Sequence, residues 1–256
     1  IRDKNILFKF NKKIALIFII VCIILIYLNF REDSTQIKKI NIDLVQTNHS
    51  YLKNNYISNE EKYNEIVSII KKSNADLIIF GENNFPYLAT NLNRIDLGNY
   101  LKNNKQAIII GATRKENNNY YNSMLLIQKK NIQYFDKKIL VPFGEFVPMR
   151  RYIKFIEKIS GTNDFSKGNQ NRIIKINNEY SIIPVICYEI IFFWRLLTKQ
   201  NNYGDIIVNI TNDSWFGNLI GPYQHFYLTK MRASELNKTL LRVSTNGISG
   251  IVNNDG

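Results

Sequence analysis

Three side chains suited to acyl-transfer chemistry lie beside apolar segments of this sequence. Glu82 ends the segment DLIIFGE, Lys137 precedes KILVPFGEF, and Cys187 lies within IIPVICYEIIFF. Acyl transfer requires a nucleophile, a base that accepts its proton and a donor that stabilises the oxyanion. Because a free thiol has a pKa of about 8.5 and is mostly protonated at neutral pH, Cys187 needs a base nearby. Glu82 and Lys137 could serve as the base and the oxyanion donor.

Each of these residues also has an ordinary structural explanation. A free Cys in an apolar strand commonly fills a small core position, and a Glu or a Lys beside a strand is commonly solvated. His225, one of two His residues, could also serve as the base for Cys187. The sequence contains no HExxH motif and no paired CxxC motifs, so it predicts no metal site. Spacing alone leaves these alternatives open.

The elements that must position these residues alternate between strand and helix patterns. Short apolar runs predict strands at residues 39–46, 76–82, 106–112, 123–128, 180–189, 204–213 and 240–246. Several of these runs are apolar at consecutive positions, which is typical of strands covered on both faces. The pattern predicts a layered α/β domain whose reactive residues gather where strands end.

Three helices are predicted between these strands. Ser58 and Glu61 have the spacing of a capping box at the start of the first helix, whose apolar face continues to Ile70. Helical patterns also predict helices at residues 190–199 and 223–236. The Asn-rich segments between elements predict loops.

The amino-terminal part of the chain has a different pattern. Residues 14–30 are apolar except for Asn29, and basic residues flank both ends. This segment is slightly shorter than the roughly 20 residues of a typical span, but flanking Lys and Arg side chains can extend to the interface. We therefore predict a cytoplasmic basic segment at 1–13, a retained transmembrane helix at 14–30 and a linker at 31–38. The excess of Lys and Arg before the apolar segment predicts that the remainder lies on the outer side of the membrane.

The formal net charge of +13 raises the question of a nucleic-acid partner. The Lys residues are dispersed among Asn and Ile rather than concentrated in one run, which is typical of a solvated surface. No zinc finger, RNA-binding aromatic motif or basic helix accompanies them. The sequence therefore predicts no nucleic-acid partner.

Four segments resemble a known family. They are PVICYEIIF, KKILVPFGEFVP, NDSWFGNLIGPYQHF and RASELNKTLLRVSTNGISGIVNNDG. Together they are similar to the nitrilase-like domain of the apolipoprotein N-acyltransferase family, membrane enzymes that N-acylate bacterial lipoproteins. The resemblance implies a nitrilase-like α-β-β-α sandwich at residues 39–256, preceded by the transmembrane helix and truncated at its carboxyl end.

The resemblance also implies roles for individual residues. Cys187 would be the acyl-accepting nucleophile, Glu82 its general base, and Lys137 an oxyanion donor together with the backbone N–H of Tyr188. Glu145 would position Lys137. Three further residues fall with Tyr188 on positions associated with the active site or with acyl-chain binding, namely Glu189, Trp215 and Phe216. The family's Trp-Pro-Glu is replaced here by Phe80-Gly81-Glu82, which predicts a looser turn before the base.

As a function, the resemblance implies N-acylation of the diacylglyceryl-cysteine of bacterial apolipoproteins. The acyl donor would be a phospholipid, the intermediate a thioester on Cys187, and no soluble cofactor would be needed. The enzyme would be a monomer in contact with membrane lipid in the bacterial inner membrane, with its catalytic domain on the periplasmic side. Two alternatives remain open: a membrane-anchored amidase of the nitrilase type, and an inactive fragment of the acyltransferase.

Overall fold

The structure is a computed structural model, and it divides into two compact units, Ile1–Lys39 and Ile40–Gly256. It describes residues 16–23, 39–49, 57–129, 131–148, 164–177, 179–196, 198, 203–217 and 219–256.

In the first unit, residues 16–23 form a helix, α1, with mostly exposed apolar side chains. The rest of the predicted span at 14–30, and the predicted segments 1–13 and 31–38, lie outside the described residues. Within the described ranges, no helix combines the length and the hydropathy needed to cross a bilayer. The transmembrane helix therefore stays a prediction.

Two five-stranded mixed sheets form the centre of the second unit. The first sheet has the order β1-β2-β3-β4-β5, with strands Ile42–Val45, Leu77–Phe80, Ala107–Glu116, Asn119–Ile127 and Ile132–Asp136. The second has the order β10-β9-β8-β7-β6, where β6 to β10 are Ile174–Ile176, Tyr180–Ile186, Ile206–Thr211, Leu240–Ser244 and Gly250–Val252. In each sheet three neighbouring strands are parallel, namely β1-β2-β3 and β7-β8-β9. The remaining pairs are antiparallel.

Three α-helices are described in this unit: α2 at Asn59–Lys72, α3 at Phe193–Leu196 and α4 at Gly221–Leu236. The capping box of α2 is confirmed, because the Glu61 N–H donates to Ser58 Oγ (3.1 Å) and the Ser58 N–H donates to Glu61 Oε2 (2.8 Å). Helix α4 ends at Asn237, whose left-handed φ of 49° lets the cap N–H bond back to the last turn.

The layers follow from the alternation of side chains along each strand. On β2, Leu77 and Ile79 face the second sheet, where they pack with Val208 of β8. Ile78 and Phe80 face outward and pack with Ile66 and Ile70 of α2. On the other outer face, Ala233 and Leu236 of α4 cover Ile183, Val185 and Ile207. The order helix, sheet, sheet, helix confirms the predicted α-β-β-α sandwich and explains why the strands are apolar at consecutive positions.

Several predicted boundaries were wrong. The strand predicted at 180–189 ends at Ile186, and Cys187–Ile191 is a 3-10 helix. The helix predicted at 190–199 is reduced to α3, because a non-helical residue, Phe192, separates it from the 3-10 helix. Strands β5, β6 and β10 were not predicted. Each is a short outer strand of its sheet that pairs antiparallel with the strand next to it in sequence, so this pairing stabilises it more than its own composition does.

Candidate active site

Cys187 begins the 3-10 helix that follows β7, and its backbone adopts a left-handed conformation with φ of 52°. Non-Gly residues avoid this region at a cost of about 1–3 kcal/mol, and such strain concentrates at functional sites. The side chain is only 8% exposed, but it lines a cavity. The sharp turn therefore directs the thiol into this cavity instead of continuing the strand.

Glu82 lies two residues after β2 and lines the same cavity. Its Oε1 accepts a hydrogen bond of 2.7 Å from Asn122 Nδ2. Its Oε2 is buried and has no hydrogen-bond partner among the described residues. Burial raises the pKa of Glu82, and the nearby charge of Glu145 adds to this effect against the opposing charge of Lys137. The Asn122 hydrogen bond and the Cys187 thiol act in the opposite direction, towards a lower pKa.

Lys137 is 1% exposed and directly follows β5. Its Nζ lies 2.9 Å from Glu145 Oε2 and 4.0 Å from Glu82 Oε1. Burial lowers the pKa of Lys137, but electrostatic interactions with Cys187, Glu82 and Glu145 outweigh burial, and the net direction is upward. Lys137 is therefore a fixed positive charge beside the sulfur.

Glu145 holds the Lys137 side chain in place. It accepts hydrogen bonds from Lys137 Nζ, from Asn122 Nδ2 (2.8 Å) and from the Val141 N–H (2.9 Å). Asn122, on β4, thus connects Glu82 to Glu145 through one amide nitrogen. Sequence reasoning missed Asn122, because it belongs to an Asn-rich stretch in which nothing distinguishes it.

The thiol of Cys187 is neutral in the resting site. Burial raises its pKa to about 12, and the charge of Glu82 contributes in the same direction. Lys137 and a hydrogen bond with Thr211 act in the opposite direction but do not compensate. Cys187 therefore has to lose its proton as it attacks, and the Glu82 carboxylate, which lines the same cavity and acts on the thiol pKa, can accept this proton.

The oxyanion of an attacked carbonyl would form next to the start of the 3-10 helix. Tyr188 is in the first turn of this helix, where backbone N–H groups have no acceptor within the helix. Its N–H follows the Cys187 sulfur by one residue, and the Lys137 ammonium lines the same cavity as the sulfur. Such a pair matches the requirements of an oxyanion hole.

Glu189 is not among the described residues that line the cavity, and it stabilises the site through an ion pair and hydrogen bonds. It is completely buried and forms a two-point ion pair with Arg172, with distances of 2.8 and 3.0 Å. It also accepts the N–H groups of Ile186 (3.0 Å), Lys138 (2.9 Å) and Ile139 (3.1 Å). Burial raises the pKa of Glu189, but Arg172, the Ile186 N–H and the charge of Lys137 outweigh burial, and the net direction is downward. One carboxylate therefore fastens the Cys187 turn to the segment that carries Lys137.

Aromatic side chains also line the cavity. The cavity has a volume of about 410 Å³ and is lined both by the charged cluster and by Phe165, Tyr188, Trp215 and Phe216. Trp215 and Phe216 come from a 3-10 helix that directly follows β8, and Trp215 is 81% exposed. The arrangement offers an apolar binding surface next to a nucleophile.

His225, the alternative base, does not line the cavity. Its Nδ1 lies 2.9 Å from Asp213 Oδ1, and Asp213 also pairs with the buried Arg242 at 2.9 Å. Its ring packs against Phe216, with centroids 5.1 Å apart. Burial lowers the pKa of His225. Of the two candidate bases, Glu82 lines the cavity together with Cys187, whereas His225 pairs with Asp213 outside the lining. Within the described ranges, no group of three or more His, Cys, Asp or Glu side chains is arranged to hold a metal ion.

The turn before Glu82 is tight, contrary to the looseness expected from Gly81. The Gly81 N–H, which a Pro would lack, donates to Asn84 Oδ1 at 3.0 Å. A Cβ at Gly81 would lie 2.5 Å from Thr245 Oγ1 and 2.7 Å from its backbone nitrogen. Since Thr245 Oγ1 also donates to the Glu82 carbonyl (2.7 Å), Gly81 allows a close contact that fixes the base.

Comparison with known proteins agrees with this geometry. Residues 44–256 match the family model for carbon-nitrogen hydrolases. A protein of Wigglesworthia glossinidia brevipalpis, named apolipoprotein N-acyltransferase, is 38% identical over 264 residues, covering 94% of this chain and 51% of that protein. A protein of Rickettsia typhi with the same name is 40% identical over 132 residues, covering 51% of this chain and 26% of that protein. The chain thus spans about half the length of the first of these relatives.

The fold is similar to that of Saccharomyces cerevisiae Nit3, a member of branch 10 of the nitrilase superfamily. The TM-score is 0.61 at 16% sequence identity, and the match covers 85% of this chain and 83% of that one. The match of the family model over residues 44–256, which is most of the chain, leads to one conclusion. The chain belongs to the carbon-nitrogen hydrolase family.

Proposed function

We propose that this chain transfers a fatty acyl group from a phospholipid, through a thioester on Cys187, to the α-amino group of a lipoprotein's diacylglyceryl-cysteine. The observation that carries the proposal is the buried group of Cys187, Glu82 and Lys137, which lines a cavity together with aromatic side chains. The relatives named apolipoprotein N-acyltransferase support the choice of substrates.

In the first half-reaction, Cys187 Sγ attacks the ester carbonyl while Glu82 Oε2 accepts the thiol proton. The oxyanion is stabilised by the Lys137 ammonium and the Tyr188 N–H. When the tetrahedral intermediate collapses, the ester C–O bond breaks and the leaving alkoxide takes the proton from Glu82. The products are a thioester on Cys187 and a lysophospholipid.

In the second half-reaction, the free amine of the lipoprotein attacks the thioester carbonyl. Glu82 accepts one amine proton as the C–N bond forms and returns it to the departing Cys187 sulfur. The products are an amide and the restored thiol. One nucleophile and one base therefore serve both substrates, and the chemistry needs no soluble cofactor.

The proposed setting is the bacterial inner membrane, with the catalytic domain on the periplasmic side. The apolar segment at 14–30 and the basic residues before it support this setting. The aromatic wall of the cavity supports a lipid substrate, since acyl chains bind to apolar and aromatic surfaces.

The deciding experiment is the intact mass of the membrane-embedded protein after incubation with phospholipid. A fatty-acyl adduct that hydroxylamine removes is expected in the wild type and absent in Cys187→Ala. Cys22→Ala, which removes the only other Cys, is the matched control and should retain the adduct. A folded wild type without any adduct would overturn the proposal and favour an inactive fragment.

A second candidate is a membrane-anchored amidase that uses water as the acyl acceptor. The family match favours it, because carbon-nitrogen hydrolases are defined by cleavage of such bonds. Release of ammonia from small amides by the wild type but not by Cys187→Ala, without a lipid-derived adduct, would support the amidase.

A further inference from the structure

A second cavity lies next to the candidate active site and shares one segment of chain with it. It has a volume of about 550 Å³. Lys137, Val141 and Glu145 line the first cavity, whereas Lys138, Leu140 and Phe146 line the second. The segment from 137 to 146 therefore forms a common wall between the two.

The second cavity is strongly basic, and we call it the cationic cavity. Its cations are Lys138, Lys167, Arg172 and Arg195. No Asp or Glu is among the described residues that line it. Arg172 is paired with the buried Glu189, whereas none of the other three forms an ion pair with a described residue. About three positive charges thus line one cavity without an ion-pair partner among the described residues.

Arg172 is a preorganised donor at the base of this cavity. It is buried, and its guanidinium donates to the Pro184 carbonyl (2.8 Å) and to both oxygens of Glu189. A guanidinium has five N–H donors. Two therefore remain without an acceptor among the described residues. Because Glu189 and Pro184 fix the plane of the guanidinium, these donors have a set direction, which suits a planar pair of anion oxygens.

Lys167 is held beside the same wall by a close backbone contact. The neighbouring Gly168 N–H donates to the Lys137 carbonyl at 2.9 Å. A Cβ at Gly168 would lie 2.2 Å from the Asp136 carbonyl oxygen, so only Gly permits this approach. The contact brings Lys167 to the cationic cavity. On the opposite side, Phe192 and Trp194 pack edge to face with ring centroids 5.3 Å apart.

The charges in the cavity repel one another. The pKa of Lys138 is lowered, first by burial and then by the positive charge of Arg172, against the opposing charge of Glu189. A bound anion would relieve this repulsion. Phosphate groups are the common biological anions that match several Lys and Arg donors in one site.

We infer that the cationic cavity binds a phosphate group, held by Arg172 and by the side chains of Lys138, Lys167 and Arg195. The identity of the ligand rests on the proposed function, under which the phosphate would belong to the phospholipid acyl donor. A free phosphate ion is the other source with the same chemistry. The shared wall at residues 137–146 brings a phosphate in this cavity close to an acyl chain in the other.

Equilibrium binding to the full-length Cys187→Ala protein in detergent tests this inference independently of acylation. The probes are inorganic phosphate, short-chain phosphatidylglycerol below its micelle concentration, and diacylglycerol with the same chains. Lys167→Gln/Arg195→Gln removes two exposed cations, and Arg94→Gln/Lys105→Gln removes two exposed cations elsewhere as the matched control. The first double variant should bind phosphatidylglycerol roughly tenfold more weakly, and the control should not.

The outcomes separate the two sources of phosphate. Weaker binding of phosphatidylglycerol with unchanged binding of diacylglycerol assigns the site to the lipid. Weaker binding of inorganic phosphate alone keeps the phosphate site but assigns it to the free ion. Unchanged binding of both in the double variant and in Lys138→Gln overturns the inference. Failure of the proposed function would appear separately, as a missing adduct in the wild type.

Discussion

Two buried networks of charged residues differ in whether they line the cavity that contains Cys187. The first joins Glu82, Asn122, Lys137 and Glu145 and lines the cavity. The second joins Asp213, His225 and Arg242, with Asn209 and Thr229, and does not line it.

The balance of charge is the main difference between them. In the first network, burial raises the pKa of Glu82 by more than Lys137 and the hydrogen bonds lower it. In the second network His225 and Arg242 outweigh burial at Asp213, whose pKa is lowered. The first network thus contains a carboxylate that is destabilised as an anion and ready to take a proton. The second contains a carboxylate that is held as an anion and supports the helical turn carrying Trp215 and Phe216.

The largest expected effect comes from disabling the first network. Glu82→Gln keeps the shape and the hydrogen bond from Asn122 but cannot accept the Cys187 proton. We expect thioester formation to slow by about 100- to 10,000-fold, as measured by quenched-flow mass spectrometry. Glu60→Gln, at the exposed start of α2, is the control and should keep the wild-type rate. A normal rate in Glu82→Gln would contradict the assignment of the base.

The second network should show its effect in stability. Arg242→Met leaves Asp213 as an uncompensated buried charge, which should lower the free energy of unfolding by about 3–5 kcal/mol. Urea unfolding measures this loss, and Arg94→Met at an exposed position is the control. Adding Asp213→Asn to Arg242→Met should recover part of the loss. If Arg242→Met unfolds like the wild type, the second network has no structural role.

The two carboxylates should respond to pH with opposite signs. The raised pKa of Glu82 contributes stability that is present below its ordinary value of 4.5 and lost as pH rises through the folded pKa. The lowered pKa of Asp213 contributes stability that is present above its ordinary value of 3.8 and lost as pH falls through the folded pKa. Towards neutral pH, the free energy of unfolding of Glu82→Gln should therefore rise relative to that of the wild type. The free energy of unfolding of Asp213→Asn should fall relative to that of the wild type.

The raised pKa of Glu82 also predicts how the acylation rate depends on pH. Because acylation needs the ionised form of Glu82, its rate should rise with pH through a value above 4.5. If the free energies of unfolding of Glu82→Gln and Asp213→Asn changed in the same direction with pH relative to the wild type, the two networks would not differ in their balance of charge.

The smallest expected effect on stability is at the mouth of the cavity. Trp215 is 81% exposed, so Trp215→Ala should change the free energy of unfolding by no more than about 0.5 kcal/mol. It should nevertheless raise KM for the lipid, because the indole lines the cavity. Leu219→Ala, at a similarly exposed position outside the lining, is the control. An unchanged KM in Trp215→Ala would remove this residue from the substrate site.

Much of the fold and of the reactive cluster could be predicted from the sequence. The doubly covered strands have a local signature in consecutive apolar residues, and Glu82 and Cys187 stand where such strands end. Asn122 and Arg172 had no such signature. Asn122 reaches Glu82 across 40 positions of chain, and Arg172 meets Glu189 only after β6 and β7 have paired. Their roles depend on contacts between distant segments, which a single sequence does not specify.

At position 187, the residue that would favour stability differs from the residue that catalysis requires. Gly adopts a positive φ without steric cost, so replacing Cys187 by Gly would relieve the turn while removing the sulfur. A library of variants selected only for resistance to heat should therefore accumulate Gly at position 187. Lineages that keep Cys at this position would then be those in which selection for activity still acts, which makes this residue an indicator of whether a related chain still works as an enzyme.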